Sequence, residues 1–169
     1  MKLALCFLIV VISAYIGRLL SRRMSQRLEF FRDYLSAMTQ LSDKVVALGL
    51  ELYKALSECR SESVNPLFHQ CAMMLRQYPQ LKLEQIWKKS LAQCRDIQTS
   101  LSKTDVVLLA EGGEALEALC TNPSEKQASI YLKQLAGYIA TLEQEKNKKN
   151  KLYNTAGVLA GLMIALLVI

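Results

Sequence analysis

LEFFRDYLSAMTQLSDKVVAL, residues 28–48, decides the fold class. Its apolar residues Leu28, Phe31, Leu35, Met38, Leu41, Val45 and Leu48 recur three and four apart, which puts them on one stripe of an α-helix with a polar face opposite. A half-buried strand would alternate with period two, and no window of the chain does so. Gly49 then breaks or bends this long amphipathic helix.

Outward from that stretch the same period repeats. A short helix is expected over residues 51–59, and Ser61-Glu62-Ser63 reads as a loop. Asn65-Pro66 combines a cap residue with a first-turn proline, and Phe68, Cys71, Ala72 and Leu75 form the apolar face behind it. After Tyr78-Pro79, a fourth helix is marked by Leu83, Ile86, Trp87, Leu91 and Cys94. Ser102 with Asp105, and Ser124 with Gln127, are candidate capping boxes that open a fifth helix over residues 103–119 and a sixth from Glu125. The sixth carries Ala128, Tyr131, Leu135, Tyr138 and Leu142 on one face. Pro66, Pro79 and Pro123 all fall at helix boundaries. The expected fold is therefore all-α, a bundle of about six helices.

Both ends of the chain are apolar. Residues 3–20 are apolar except for Ser13, Tyr15, Gly17 and Arg18, and within residues 153–169 only Asn154 and Thr155 are clearly polar. As helices these runs are about 25–27 Å long, enough to cross a hydrocarbon core of about 30 Å. Arg22, Arg23, Arg27 and Arg32 follow the first run, and Lys146, Lys148, Lys149 and Lys151 precede the second. Lys and Arg beside short spans stay on the cytoplasmic side. The expected organisation is an anchor at 1–20, a cytoplasmic bundle at 21–152 and an anchor at 153–169, with both termini on the opposite face. A cleavable signal peptide keeps its charge ahead of the apolar region and ends at a small-x-small site. Here the strong charge follows, and Ser13-Ala14-Tyr15 fits such a site poorly.

The formal charge of +6 raises nucleic acid as a partner, but topology accounts for most of it. Residues 21–152 hold 19 basic and 15 acidic side chains, with the excess concentrated at the two membrane flanks. The five cysteines, at positions 6, 59, 71, 94 and 120, form no CxxC pair and no disulfide framework, which fits reduced cytoplasmic thiols.

Residues that might carry chemistry read more simply as structure. His69 and Cys71 stand two apart, so on a helix they diverge by about 200° and do not converge on a metal. No second histidine and no recognisable nucleophile setting accompany them, no GxxxxGK[ST] loop occurs, and neither cofactor nor metal is expected. Glu111, Glu114 and Glu117 read as a solvated face, with a cation site or docking stripe as the alternative. Trp87 beside Lys88 and Lys89 reads as core with the lysines in water. Gly112-Gly113 costs about 2 kcal/mol inside a helix, which close packing or a local bend should offset. Ser13 with Gly17, and Gly157 with Gly161, are small-xxx-small pairs suited to close helix contact in lipid, either with each other or with another subunit.

Taken in order, the basic-flanked first run, the segment Gly49-Leu50-Glu51-Leu52-Tyr53-Lys54-Ala55-Leu56, the segment Ile86-Trp87-Lys88-Lys89-Ser90-Leu91, and Lys151-Leu152-Tyr153 before residues 157–162 resemble the stage III sporulation protein AB family. Gly49, Leu52, Ala55 and Leu56 also resemble a pattern in the helical cytoplasmic domains of type II secretion and pilus platform proteins. These residues and Trp87 would be structural parts of the family motifs. The resemblance implies a six-helix bundle within a secretion-like complex that links the mother cell to the engulfed forespore. It also implies a cytoplasmic secretion-type ATPase and other stage III channel proteins as partners. Platform proteins carry two such domains, so a homo-oligomer is the natural way for a one-domain chain to complete a platform. The expected role is a non-enzymatic adaptor in the cell membrane of an endospore former, on the mother-cell side. A membrane-tethered nucleic-acid binder is the alternative; its affinity would fall steeply with salt.

Overall fold

In the computed structural model, the periodic stretch quoted above belongs to α1 (Lys2–Leu48), which stops where the sequence predicts. Gly49 adopts φ +60°, and the Leu50 N–H reaches back to the Lys44 carbonyl at 3.3 Å, closing the left-handed cap that glycine makes without strain. Among the described residues six further helices follow: α2 (Leu52–Ser57), α3 (Asn65–Gln77), α4 (Leu83–Gln93), α5 (Arg95–Ser100), α6 (Lys103–Thr121) and α7 (Lys126–Val168). The structure describes the backbone of residues 2–59, 61–121 and 126–168. Within these it describes the side chains of 22–59, 61–95, 97, 99, 101–121, 127–149 and 152. Among the described residues all regular structure is helical, as expected.

The chain divides into two compact units. One is Glu29–Ile139, and the other joins Met1–Leu28 with Ala140–Ile169. In the first unit α4 packs against α6 and α3, and α2 packs against α3. In the second, Leu28 and Leu142 are buried, while Arg22, Arg23, Lys148 and Lys149 are exposed. Among the described residues no helix is long and apolar enough to cross a membrane. The runs at 3–20 and 153–169, where the anchors are expected, lie outside the residues whose side chains are described.

Several boundaries differ from the sequence reading for identifiable reasons. The buried stripe of α1 runs through Phe30, Phe31, Tyr34, Ala37, Met38 and Leu41, leaving Leu35 and Val45 half-buried and Leu48 69% exposed. Tyr34 is the cause: its ring is fully buried with a bonded hydroxyl, so the stripe turns toward position 34 rather than 35. The N-cap of α3 is the buried Val64, and Asn65 is already helical, with its N–H on the Ser61 carbonyl at 2.8 Å. Pro66 still occupies the first turn. α4 ends at Gln93, Cys94 is a half-buried junction, and the short α5 is an element that the apolar spacing did not mark. Ser124, half of one proposed capping box, lies outside the described residues.

The other capping box forms reciprocally. The Asp105 N–H donates to Ser102 Oγ at 3.3 Å, and the Ser102 N–H donates to Asp105 Oδ2 at 2.8 Å. Two orphan donors of the first turn of α6 are thereby satisfied, an arrangement that contributes about 1 kcal/mol. Asp105 is completely buried, and its Oδ1 accepts the Tyr138 hydroxyl at 2.5 Å, so the same carboxylate that starts α6 also binds it to α7.

Candidate functional site

With no catalytic set legible in the sequence, the candidate site is the bundle surface, and its shape is fixed by a buried aromatic centre. Trp87 is fully buried on α4, with ring centroids 5.9 Å from Phe68 and 6.5 Å from Tyr34. Its Nε1–H donates to the Leu109 carbonyl at 2.7 Å. That bond satisfies the indole and pins α4 to α6.

The glycine pair explains how α6 comes so close. A Cβ on Gly113 would stand 2.9 Å from both Cβ and Cδ1 of Trp87, and one on Gly112 would collide with the Tyr34 hydroxyl and lie 3.0 Å from that of Tyr131. Close packing therefore offsets the helical cost of both glycines. Beside Gly112, the Tyr131 hydroxyl donates to the Leu108 carbonyl at 3.0 Å, which leaves its oxygen to accept from Tyr34 at 3.1 Å. Phe31 and Tyr138 complete the aromatic set, edge to face at 5.2 Å.

Burial raises the pKa of both Tyr34 and Tyr131 above the ordinary tyrosine value of 10.0, with the neighbouring Tyr131 adding to the effect on Tyr34. The folded state holds these protons more tightly than the unfolded chain. Their stabilisation is therefore complete below the unfolded pKa and is lost as pH rises from about 10 toward the raised folded values. Urea midpoints measured across this range should be flat near neutrality and fall above about pH 10, and Tyr34→Phe should show a shallower alkaline fall.

The remaining sequence candidates fall as follows. Ala55 and Leu56 are fully buried on α2, Leu52 is half-buried, and Gly49 makes the preceding turn, so the family pattern is a helix stop followed by a short packed helix. His69 is exposed while Cys71 is buried, with its thiol pushed up to about 12 by that burial, and the two diverge as predicted. Ser13, Gly17, Gly157 and Gly161 lie outside the residues whose side chains are described.

The three glutamates do not behave as one stripe, which corrects the reading of a uniform solvated face. Glu114 is exposed, Glu111 accepts from Gln134 Nε2 at 3.1 Å, and Glu117 accepts the Glu84 N–H at 3.2 Å. Glu117 thus caps the first turn of α4 from another helix, favourable for a carboxylate at a helix N-terminus. Spacing alone cannot disclose such partners, because they depend on which helices become neighbours.

The surface is polarised by charge. Residues 65–93, covering α3 and α4, hold Arg76, Lys82, Lys88 and Lys89 against Glu84 alone. On the surface α6 reverses the balance, with Glu111, Glu114 and Glu117 against Lys103, while Asp105 is buried. Large apolar side chains are also left in solvent: Val107 on α6 is 60% exposed, Ile130 on α7 is 61% and Met73 on α3 is 56%. The sequence signal for these was their position off the buried stripe of each helix.

Compared with known proteins, the chain matches the family model of stage III sporulation protein AB over residues 2–169. No curated protein and no solved structure matches it.

Proposed function

We propose, for a chain that belongs to the stage III sporulation protein AB family and so acts in stage III of sporulation, the role of a non-enzymatic, membrane-anchored adaptor. The helical bundle receives a cytoplasmic secretion-type ATPase. The runs at residues 3–20 and 153–169 anchor the chain in the cell membrane on the mother-cell side, with both termini across the bilayer. There the adaptor meets the other stage III proteins of a secretion-like channel between mother cell and forespore.

The observation that carries this reading is the family match along the whole chain, from residue 2 to residue 169, which includes both apolar ends. A second consideration supports an adaptor over an enzyme. The buried polar groups of Trp87, Tyr34, Tyr131, Asp105 and Tyr138 are bonded to neighbouring helices within the bundle. An active site would instead aim such groups into a cleft where a substrate can reach them.

Affinity extraction of the tagged full chain from membranes of sporulating cells provides the test. The secretion-type ATPase is expected in the extracted complex. Its consistent absence, with the other stage III proteins retained, would remove the docking role.

A further inference from the structure

We infer that the chain carries a binding site for anionic phospholipid headgroups, built jointly by the basic stretches of α1 and α7 that adjoin the apolar runs. Such a site rests on the anchoring proposed above and adds what anchoring does not need, a preference for the lipid around the anchors. All 15 acidic residues of the chain fall within residues 29–145, which contain only 12 basic ones. The bundle sequence is therefore net acidic, and the whole excess of positive charge lies outside it. Residues 21–28 and 146–152 hold three arginines, four lysines and no carboxylate. Orientation across a bilayer depends on Lys and Arg near the spans, and Asp or Glu among them matters little. Topology thus leaves the exclusion of carboxylates unexplained. A site for anionic headgroups explains it, because each carboxylate would cancel part of the attraction.

Both basic stretches belong to one compact unit, in which Leu28 and Leu142 are buried. Arg22 and Arg23 stand six and five residues before Leu28 on α1, and Lys146, Lys148 and Lys149 stand four to seven residues after Leu142 on α7. Each helix continues unbroken through its cations into its apolar run. The five cations lie two to seven residues from those runs. At the helical rise this is about 3–11 Å, within about one Debye length of a bilayer that holds the runs. Arg22, Arg23, Lys148 and Lys149 are exposed and Lys146 is half-buried. Among the described residues none of the five forms an ion pair with a carboxylate. Glu143 and Glu145, the acidic residues of this unit, precede Lys146 on the side away from the apolar run. Charge complementarity names the occupant: at that depth the groups within reach are lipid headgroups, and five unpaired cations select those with a net negative charge.

The full chain, reconstituted in phosphatidylcholine vesicles with a minor share of phosphatidylglycerol, is washed with alkaline carbonate and floated to establish anchorage. Trace spin-labelled phosphatidylglycerol or phosphatidylcholine then reports which lipid is held against the protein. Label in both leaflets is seen, so the orientation of the chain does not enter. Phosphatidylglycerol is expected to be held over phosphatidylcholine by about threefold or more at low salt, and the preference should fall as salt screens the charges. Arg22→Gln with Arg23→Gln, and separately Lys148→Gln with Lys149→Gln, should each lower the preference, and the four changes together should abolish it. Arg22→Lys with Arg23→Lys should retain it, since headgroup attraction needs the charge rather than the guanidinium geometry. Glutamine and lysine are both good helix formers, and circular dichroism verifies folding; the pair on the other helix decides should one variant fail to fold. Equal retention of the two lipids by a carbonate-resistant wild-type chain overturns the site and leaves the anchoring intact, whereas loss of the chain at the carbonate wash overturns both. A preference unchanged in the four-site variant also overturns the site. Duplex DNA bound by the chain in pure phosphatidylcholine vesicles, without lipid preference, would assign these cations to nucleic acid instead.

Discussion

Replacing Trp87 with alanine should lower the stability of the bundle by about 3–5 kcal/mol, the cost of emptying a large aromatic site that its surroundings cannot close. The ring touches Phe68 from α3 and Tyr34 from α1, and its N–H holds the Leu109 carbonyl of α6, so four helices lose a shared contact at once. Trp87→Phe keeps a ring but loses the hydrogen bond and part of the volume, and should cost about 1–2 kcal/mol. Urea unfolding of the full chain in micelles, followed by far-ultraviolet circular dichroism, measures both. A Trp87→Ala variant within about 1 kcal/mol of wild type would mean that the indole is not the centre of the packing.

Gly113→Ala is expected to destabilise by about 1–3 kcal/mol, even though alanine favours a helix over glycine by about 1 kcal/mol. The new methyl would meet Trp87 at 2.9 Å, and one of the atoms met is the Trp87 Cβ. That atom moves only with the α4 backbone, so no change of side-chain rotamer relieves the overlap. Gly137 supplies the matched control. It is exposed on α7 with nothing within 4 Å of an added Cβ, and Gly137→Ala should therefore stabilise by up to about 1 kcal/mol. Opposite signs at two helical glycines in the same unfolding assay would separate close packing from propensity. Stabilisation at both would mean that α4 and α6 are farther apart than described here.

These effects also indicate how much the sequence can disclose. The all-α class, the stop at Gly49, the Ser102–Asp105 box and the close packing at Gly112-Gly113 were legible because each depends on local chemistry or on a cost that demands an explanation. The direction of the α1 stripe was not, because a tyrosine counts as polar until its hydroxyl finds a buried partner, and the partner of Tyr34 is 97 residues away. The same distance effect hid the Glu117 cap on α4 and the Tyr138 bond to Asp105. α5 escaped notice because six residues are too few for a periodic pattern to appear.

Of the candidate site, the family pattern at Gly49, Leu52, Ala55 and Leu56 was visible as residues, but its function was not visible as geometry. It builds a turn and a short helix packed on α3, and it presents no reactive group. The polarity between α3–α4 and α6 was hidden in the total charge, because a net charge of +6 averages over helices of opposite sign. Only the assignment of each charge to an element brings it out.

Direct binding of the full chain in lipid nanodiscs to the purified secretion-type ATPase, at low and moderate salt, tests the adaptor role most directly. Saturable binding that persists at moderate salt is the predicted result, since a docked interface with an apolar centre is screened less than a purely charged one. A folded chain in nanodiscs that shows no saturable binding at either salt would contradict docking on the bundle.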